Sequence, residues 1–193
     1  MYTTETITAT IPVTEYIGQY RDAEKFIEFC KVCHNYGRCW ACPPYDFDPI
    51  EQIAGYQTFY VIGTKITLTE PIRCTPRTTQ ENQALSRKIL ADVRKPLDNR
   101  LLTFEAKHPG SRAFFAGTCF ACPNGACTRI EGKPCIQPEQ VRPALEAFGF
   151  DIGKTASELL GIELQWSDDG SLPEYFTLVS GLLTHDTETP LIF

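Results

Sequence analysis

The sequence predicts an α+β or mixed α/β fold in a single domain that spans residues 1–193. Segments typical of strands are interspersed with segments of helical periodicity. No internal repeat or low-complexity linker divides the chain. Near the carboxyl end, a turn-rich segment separates two apolar runs, a pattern typical of a β-hairpin. We therefore expect a small mixed sheet, one long helix, two cysteine-rich loops and a C-terminal hairpin.

Composition limits the class of protein. Of the 193 residues, 42% are hydrophobic and 22% are charged, as in soluble globular proteins. No apolar run approaches the roughly 18 residues that span a bilayer, so we expect no membrane insertion. The segment MYTTETITAT lacks the features of a secretory signal, which predicts a cytoplasmic protein. A formal net charge of −6 gives no support for nucleic-acid binding.

The first predicted elements are a strand and a short helix. Apolar and polar residues alternate over 7–13, which indicates a half-buried strand, and Pro12 marks it as an edge strand. Apolar residues then recur at helical spacing after Asp22. Asp22 is therefore expected to cap a helix that ends near Cys30.

A short helix and a buried strand are predicted next. Asp48 is a candidate cap, Pro49 suits the first helical position, and Gly55 can end the helix. Residues 58–67 are rich in β-branched and aromatic side chains, which predicts a largely buried strand.

A long amphipathic helix is predicted after Thr78. Thr78 and Glu81 fit a capping box. Apolar residues follow at four-residue steps: Leu85, Ile89, Val93, Leu97 and Leu101. Pro96 lies inside this pattern and is expected to kink the helix or divide it in two, because proline cannot donate the interior hydrogen bond.

The carboxyl half begins with a predicted buried strand at residues 112–117 that leads into a cysteine-rich segment. Residues 138–148 are predicted to form a helix with Gly149 as its C-cap. Residues 155–160 are also predicted to form a helix, with Gly161 as its C-cap.

The predicted hairpin closes the chain. Its strands would be residues 162–166 and 175–183, joined through Ser-Asp-Asp-Gly-Ser.

The second cysteine-rich segment carries the clearest chemical signal. Its CxxC pair, Cys119 and Cys122, is followed by Cys127 and Cys135, and Gly125 allows a tight turn. Four thiolates form a closed metal site. The loop has the general character of an iron–sulfur segment, most simply for a 4Fe–4S cluster. Zinc also accepts four thiolates, and the spacing does not separate the two metals.

The first cysteine-rich segment contains two CxxC pairs: Cys30, Cys33, Cys39 and Cys42. The five residues between the pairs are fewer than the about 15 to 20 of a common zinc site, so a zinc ribbon is disfavoured. His34 is interpreted as a neighbour of the metal rather than a ligand. The one remaining cysteine of the nine, Cys74, is distant in sequence from both clusters. A reduced cytoplasmic chain with an odd cysteine count favours metal ligation over disulfides.

Cations accompany both cysteine segments in a chain that is acidic overall: Lys31, His34, Arg38, Arg129 and Lys133. Nearby positive charge lowers the cost of burying a tetrathiolate site. The alternative is that these are ordinary solvated loop charges.

These motifs resemble a known family. The residues that carry the resemblance are Cys30-xx-Cys33-xx-Tyr36-Gly37-xx-Trp40-x-Cys42-Pro43-Pro44, Cys119-xx-Cys122, Cys127, Pro134-Cys135-xx-Pro138 and the segment EAFGFDI at 146–152. They are similar to the predicted metal-binding proteins grouped as domain of unknown function 2284. The resemblance implies that seven thiols form a functional set: Cys30, Cys33, Cys42, Cys119, Cys122, Cys127 and Cys135. Cys39 and Cys74 do not match the pattern.

The sequence therefore favours an iron–sulfur protein that transfers electrons with a redox protein partner. In this interpretation Cys119, Cys122, Cys127 and Cys135 hold one cluster. The three earlier thiols hold a second cluster or complete a larger shared site. The alternative is a non-redox zinc protein with structural or partner-binding cysteine sites. Motifs for nucleotide cradling, zincin hydrolysis and serine hydrolysis are absent from the sequence, so no reaction is assigned.

Overall fold

A computed structural model describes residues 1–122, 126–167 and 169–185. Its strands form one four-stranded sheet in the order β1-β2-β4-β3. They are β1 (Tyr2–Pro12), β2 (Thr58–Leu68), β3 (Arg112–Phe114) and β4 (Tyr175–Thr184). The helices are α1 (Val13–Tyr20), α2 (Ala23–Lys31), α3 (Glu70–Cys74), α4 (Thr79–Lys107) and α5 (Ile152–Leu160). Short 3₁₀ helices cover Thr128–Glu131 and Glu146–Phe148.

The α+β class is confirmed, but the prediction of a mixed sheet is wrong. All three strand pairings are antiparallel. The predicted edge strand is β1, which pairs with β2 along its full length. The sheet is fully antiparallel because β4 lies between β2 and β3, the two strands that α4 connects and that run in the same direction.

Each face of the sheet carries its own hydrophobic core. Val61 of β2 points into one core, with side chains from α1 and α5. Its neighbour Ile62 points into the other, where Ile89 and Leu101 of α4 pack. Because both faces are covered, β2 is buried almost throughout.

Several local predictions are confirmed. The side chain of Asp22 accepts a hydrogen bond from the backbone N–H of Lys25 at 3.0 Å and caps α2. Thr78 and Glu81 form the capping box of α4. Gly161 caps α5 in the left-handed conformation. Each signal depends on neighbours within a few residues, so the sequence contains all that is needed to predict it.

The helix α4 runs as one element through Pro96, so the division in two is excluded, and the alternative of a kink stays a prediction. Proline removes one interior hydrogen bond. Ile89 before the proline and Leu97 and Leu101 after it are all buried in the core on this face of the sheet. This packing continues across the proline and offsets the lost bond.

The predicted C-terminal hairpin is not formed. Residues 175–184 are a strand, whereas residues 162–166 form no strand, and residue 168 of the predicted turn lies outside the described ranges. The side-chain Oε1 of Gln165 accepts hydrogen bonds from the backbone N–H groups of Glu174 and Tyr175, at 2.9 and 3.2 Å. A side chain thus takes the place of a backbone ladder, and β4 pairs with β2 and β3 instead.

Two predicted helices are also wrong. Residues 49–55 form successive turns, in which the side chain of Asp48 accepts from the backbone N–H of Ile50 at 2.8 Å. Residues 138–145 form turns and irregular chain, and only Glu146–Phe148 is helical, as a 3₁₀ helix that ends at the predicted cap Gly149 in the left-handed conformation. Pro143 interrupts the apolar spacing that suggested a helix, and its carbonyl accepts from Phe115 N–H at 3.0 Å. This segment is held against the chain that follows β3.

Glu105 of α4 holds β3 and this irregular segment together. Its carboxylate accepts from Nε of Arg142 at 2.8 and 2.9 Å and from the backbone N–H of Ala113. We expect Glu105→Ala to lower the free energy of unfolding by about 3 kcal/mol, because a largely buried charge loses its partner. The matched control is Glu28→Ala, which removes the exposed pair with Lys31 and should cost less than about 1 kcal/mol. Urea denaturation measures both, and equal losses would contradict this role.

Candidate metal centre

The two cysteine segments meet in the folded protein. We call residues 30–44 the first cysteine loop and residues 118–135 the second. The guanidinium of Arg129, in the second loop, donates to the carbonyls of Cys39 and Cys42 at 2.8 and 2.6 Å and to that of Pro44. It also lies over the ring of Trp40, 5.0 Å from the centroid. We call this contact between the loops the cysteine junction.

A second contact supports the junction. The indole Nε1 of Trp40 donates to the carbonyl of Lys133 at 3.1 Å. Hydrogen bonds therefore run in both directions between the loops. These hydrogen bonds, rather than chain connectivity, set the position of one loop relative to the other.

Tight turns shape the first cysteine loop. The backbone N–H of Cys33 donates to Cys30 O, and that of Cys42 donates to Cys39 O, both at 3.0 Å. Each CxxC pair therefore closes a single turn, which keeps its two sulfurs near one another. Gly37 adopts a φ of 66° and donates its N–H to Pro43 O at 2.8 Å, which closes the loop.

The second cysteine loop leaves β3 through Gly117, which has a φ of 72°. Backbone N–H groups in the loop and just after it contact sulfur: Ala121 N–H donates to Cys119 Sγ and Gln137 N–H to Cys135 Sγ, both at 3.4 Å. Such bonds stabilise the thiolate form that metals require. Gly125, predicted to allow a tight turn, lies outside the described residues.

Thr118 connects sulfurs of the first loop to the start of the second. Its hydroxyl donates to Cys39 Sγ at 3.7 Å and lies 3.8 Å from Cys42 Sγ. A hydrogen bond from the Cys42 thiol is the main cause that lowers the pKa of Cys39 to about 5. The same bond is the main cause that raises the pKa of Cys42, and burial adds to it.

The sulfurs of the two loops also interact electrostatically. Burial is the main cause that raises the pKa of Cys119 to about 11, and negative charge on Cys39, Cys122 and Cys135 raises it further. The pKa of Cys122 is raised by burial first, and then by charge on Cys127, Cys135 and Cys39. Thiolates of both loops therefore repel one another. A bound cation would remove this repulsion.

The predicted thiols of the two loops differ in their exposure. Cys33 is exposed, whereas the other six are partly buried. Cys39, which the family pattern does not include, is buried and lies among them. Cys74 is exposed at the end of α3, and His34 is exposed in the first loop.

Of the predicted neighbouring cations, Arg129 makes the contacts that join the loops. Lys31 pairs with Glu28 at 2.6 Å, and Lys133 pairs with Glu131 at 2.6 Å. These two lysines therefore correspond to the alternative of ordinary solvated charges. Arg129 is distinguished by its geometry, because a planar guanidinium can satisfy several carbonyls at once.

Sequence reasoning missed Arg94 of α4. Its Nη2 donates to the carbonyl of Thr118 at 2.8 Å, and its guanidinium lies 4.3 Å from the ring centroid of Phe120. A signal was present in the sequence, because Arg94 lies three residues before Leu97, on the buried stripe of the helix. A charged residue on such a stripe indicates a buried polar contact.

The donor chemistry of the junction fits a thiolate-bound metal. Within the ranges that the structure describes, no three His, Cys, Asp or Glu side chains converge closely enough to hold a single ion. Sulfurs of the two loops nevertheless interact electrostatically, and those of Cys119 and Cys135 accept backbone N–H bonds. All-thiolate sites are typical of both iron–sulfur clusters and structural zinc.

The fold and the junction define a cysteine-rich α+β protein. A family model described as predicted metal-binding protein, domain of unknown function 2284, matches residues 17–184. The chain therefore belongs to this family, which confirms the resemblance noted in its sequence. Searches of curated proteins and of solved structures found no match. No helix in the described ranges is both long and apolar enough to cross a membrane.

Proposed function

We propose that the protein binds an iron–sulfur cluster of the 4Fe–4S type at the cysteine junction and exchanges electrons with a cytoplasmic redox protein. The observation that carries the proposal is the meeting of the two loops, which brings thiols from distant parts of the chain into electrostatic contact. An iron–sulfur cluster supplies one-electron redox chemistry when it is bound.

The ligand assignment follows the predicted thiols. Cys119, Cys122, Cys127 and Cys135 hold one cluster. Cys30, Cys33 and Cys42 hold a second cluster or complete a larger shared site, and the contact between the loops supports a shared site.

Groups around the sulfurs would stabilise their negative charge. Arg129 brings a cation to the centre of the junction, and the N–H groups of Ala121 and Gln137 donate to sulfur. Trp40 covers one side of the junction through its contact with Arg129. Positive charge, N–H donors and aromatic cover all tune the potential of a bound cluster.

Exposed apolar side chains near the loops support a protein partner. They lie in or next to the cysteine loops: Phe29, Val32, Trp40, Phe120, Ile130 and Ile136. Exposed apolar side chains that form a contiguous surface are typical of protein interaction sites. Small, weak interfaces are characteristic of electron-transfer partners.

Metal analysis after purification without oxygen tests the proposal. We expect brown protein that contains iron and acid-labile sulfide in comparable amounts. Colourless protein with stoichiometric zinc and neither iron nor sulfide would overturn the iron–sulfur proposal and support the zinc alternative.

Single Cys→Ser variants test the ligand set. We expect each of the seven predicted thiols to be needed for full metal content: Cys30, Cys33, Cys42, Cys119, Cys122, Cys127 and Cys135. A serine hydroxyl is a poorer ligand than a thiolate for the softer metals, so bound metal should fall. Cys74→Ser is the control and should retain the metal. Metal loss in Cys74→Ser that equals the loss in Cys122→Ser would contradict the assignment.

A further inference from the structure

A cavity of about 1240 Å³ lies beside the cysteine junction. It is bounded by α4, by β4 and by the start of the second cysteine loop, including Cys119 and Cys122. Its position follows from the sheet, because β3 pairs with only Gly181–Leu183 of β4. In the described part of the chain no strand covers the rest of that edge, and Phe176–Val179 line the cavity.

Unpartnered polar atoms are concentrated around this cavity. In the described residues, five buried side-chain nitrogen or oxygen atoms have no hydrogen-bond partner. Four of them belong to residues that line the cavity: Asn82 Oδ1, Arg94 Nε, Asp98 Oδ1 and Thr177 Oγ1. Buried polar atoms normally have partners. These four are covered by neighbouring atoms as placed, so a molecule in the cavity bonds them once their side chains turn toward it.

The side chain of Arg94 is the most buried of these groups, with 5% of its surface exposed. It is held on one side by Asp98, 3.4 Å away, and by the carbonyl of Thr118 at 2.8 Å. Glu146 adds a third charged group to the lining. This end of the cavity therefore contains both hydrogen-bond donors and acceptors.

The remaining walls are largely apolar. Leu90, Phe115, Phe176 and Leu178 line them, and the exposed Trp166 lies at the rim. A cavity with apolar walls and a few convergent polar groups is the usual form of a small-molecule site.

We propose that this cavity binds a small organic molecule with an aromatic body and a polar edge that both donates and accepts hydrogen bonds. The aromatic body packs between α4 and the apolar residues of β4, and the polar edge pairs with Arg94, Asp98 and Thr177. The site lies against Cys119 and Cys122, so its ligand sits next to the cysteine junction. The inference goes beyond the proposed function and does not depend on which metal the thiols bind.

Isothermal titration calorimetry with anilinonaphthalene sulfonate tests the site, because this probe has an aromatic body with both a donor and acceptors. We expect one saturable site. Ala91→Trp places a large side chain at the lining of the cavity and should abolish binding. Ala106→Trp, also on an exposed position of α4 but outside the cavity lining, is the matched control and should bind like the wild type.

Thr177→Val tests the polar edge. Thr177 Oγ1 has no partner in the structure, so its removal should leave thermal stability unchanged or increased. Loss of a hydrogen bond to the probe should weaken binding about fivefold.

Three outcomes would overturn the proposal: no saturable binding to the wild type, equal binding to the two tryptophan variants, or unchanged binding to Thr177→Val. None of them bears on iron and sulfide content, so failure here is distinguishable from failure of the proposed function.

Discussion

Arg129→Met is expected to separate the two cysteine loops and to weaken metal binding about tenfold or more. The guanidinium satisfies carbonyls of Cys39, Cys42 and Pro44 and stacks on Trp40. Methionine fills similar space but donates no hydrogen bond, so these carbonyls lose their shared partner. We expect the free energy of unfolding to fall by about 3 kcal/mol, since hydrogen bonds from a charged donor are among the strongest. Metal content per chain and urea denaturation measure the two effects.

Two further variants separate geometry from charge. Arg129→Lys retains the positive charge but is unable to reach three carbonyls with a planar fork, so it should show most of the loss. Arg38→Met removes an exposed cation from the first loop and is the matched control. If Arg38→Met and Arg129→Met lost metal equally, the bridging role of Arg129 would be refuted.

Gly149→Ala is expected to be the most destabilising single-methyl substitution near the junction, at about 3 kcal/mol or more. Gly149 adopts a φ of 86°, and an added Cβ would lie 2.8 Å from the backbone Cα of Ala23. Its carbonyl also accepts from Asp22 N–H at 2.9 Å, at the start of α2. The clash is with backbone, so α2 must move, and α2 carries Cys30 into the first cysteine loop. Metal content should therefore fall together with thermal stability.

Gly161→Ala is the matched control for this substitution. Gly161 has a φ of 65°, but an added Cβ there would meet no atom within 4 Å. Alanine at this position should cost only the about 1–2 kcal/mol of a left-handed residue and leave metal content unchanged. Similar losses in the two variants would show that the contact with Ala23 contributes little.

The predictions that were confirmed rest on short-range physical chemistry. The capping box of Thr78 and Glu81 and the left-handed cap at Gly161 involve residues within one turn of each other. The buried strand β2 is equally local, since its β-branched and aromatic composition suits any strand covered on both faces.

The predictions that failed depend on partners far away in the chain. Residues 138–148 have helical spacing, yet Pro143 interrupts the pattern and its carbonyl bonds to Phe115 after β3. The predicted hairpin failed because β4 finds a better partner in β2, which precedes it by more than 100 residues in the chain. In each case tertiary pairing replaced the local pattern.

The sequence by itself determined that the protein is a cysteine-rich α+β protein of the predicted metal-binding family, because the CxxC pairs and their spacing are properties of the sequence alone. Only the tertiary structure decided that the two cysteine loops meet. The bond from Arg129 to Cys39 joins residues 90 positions apart, and it also places Cys39 among the thiols of the junction. Such a contact depends on how α2, β3 and the irregular segment dock on the sheet. No local pattern encodes that docking.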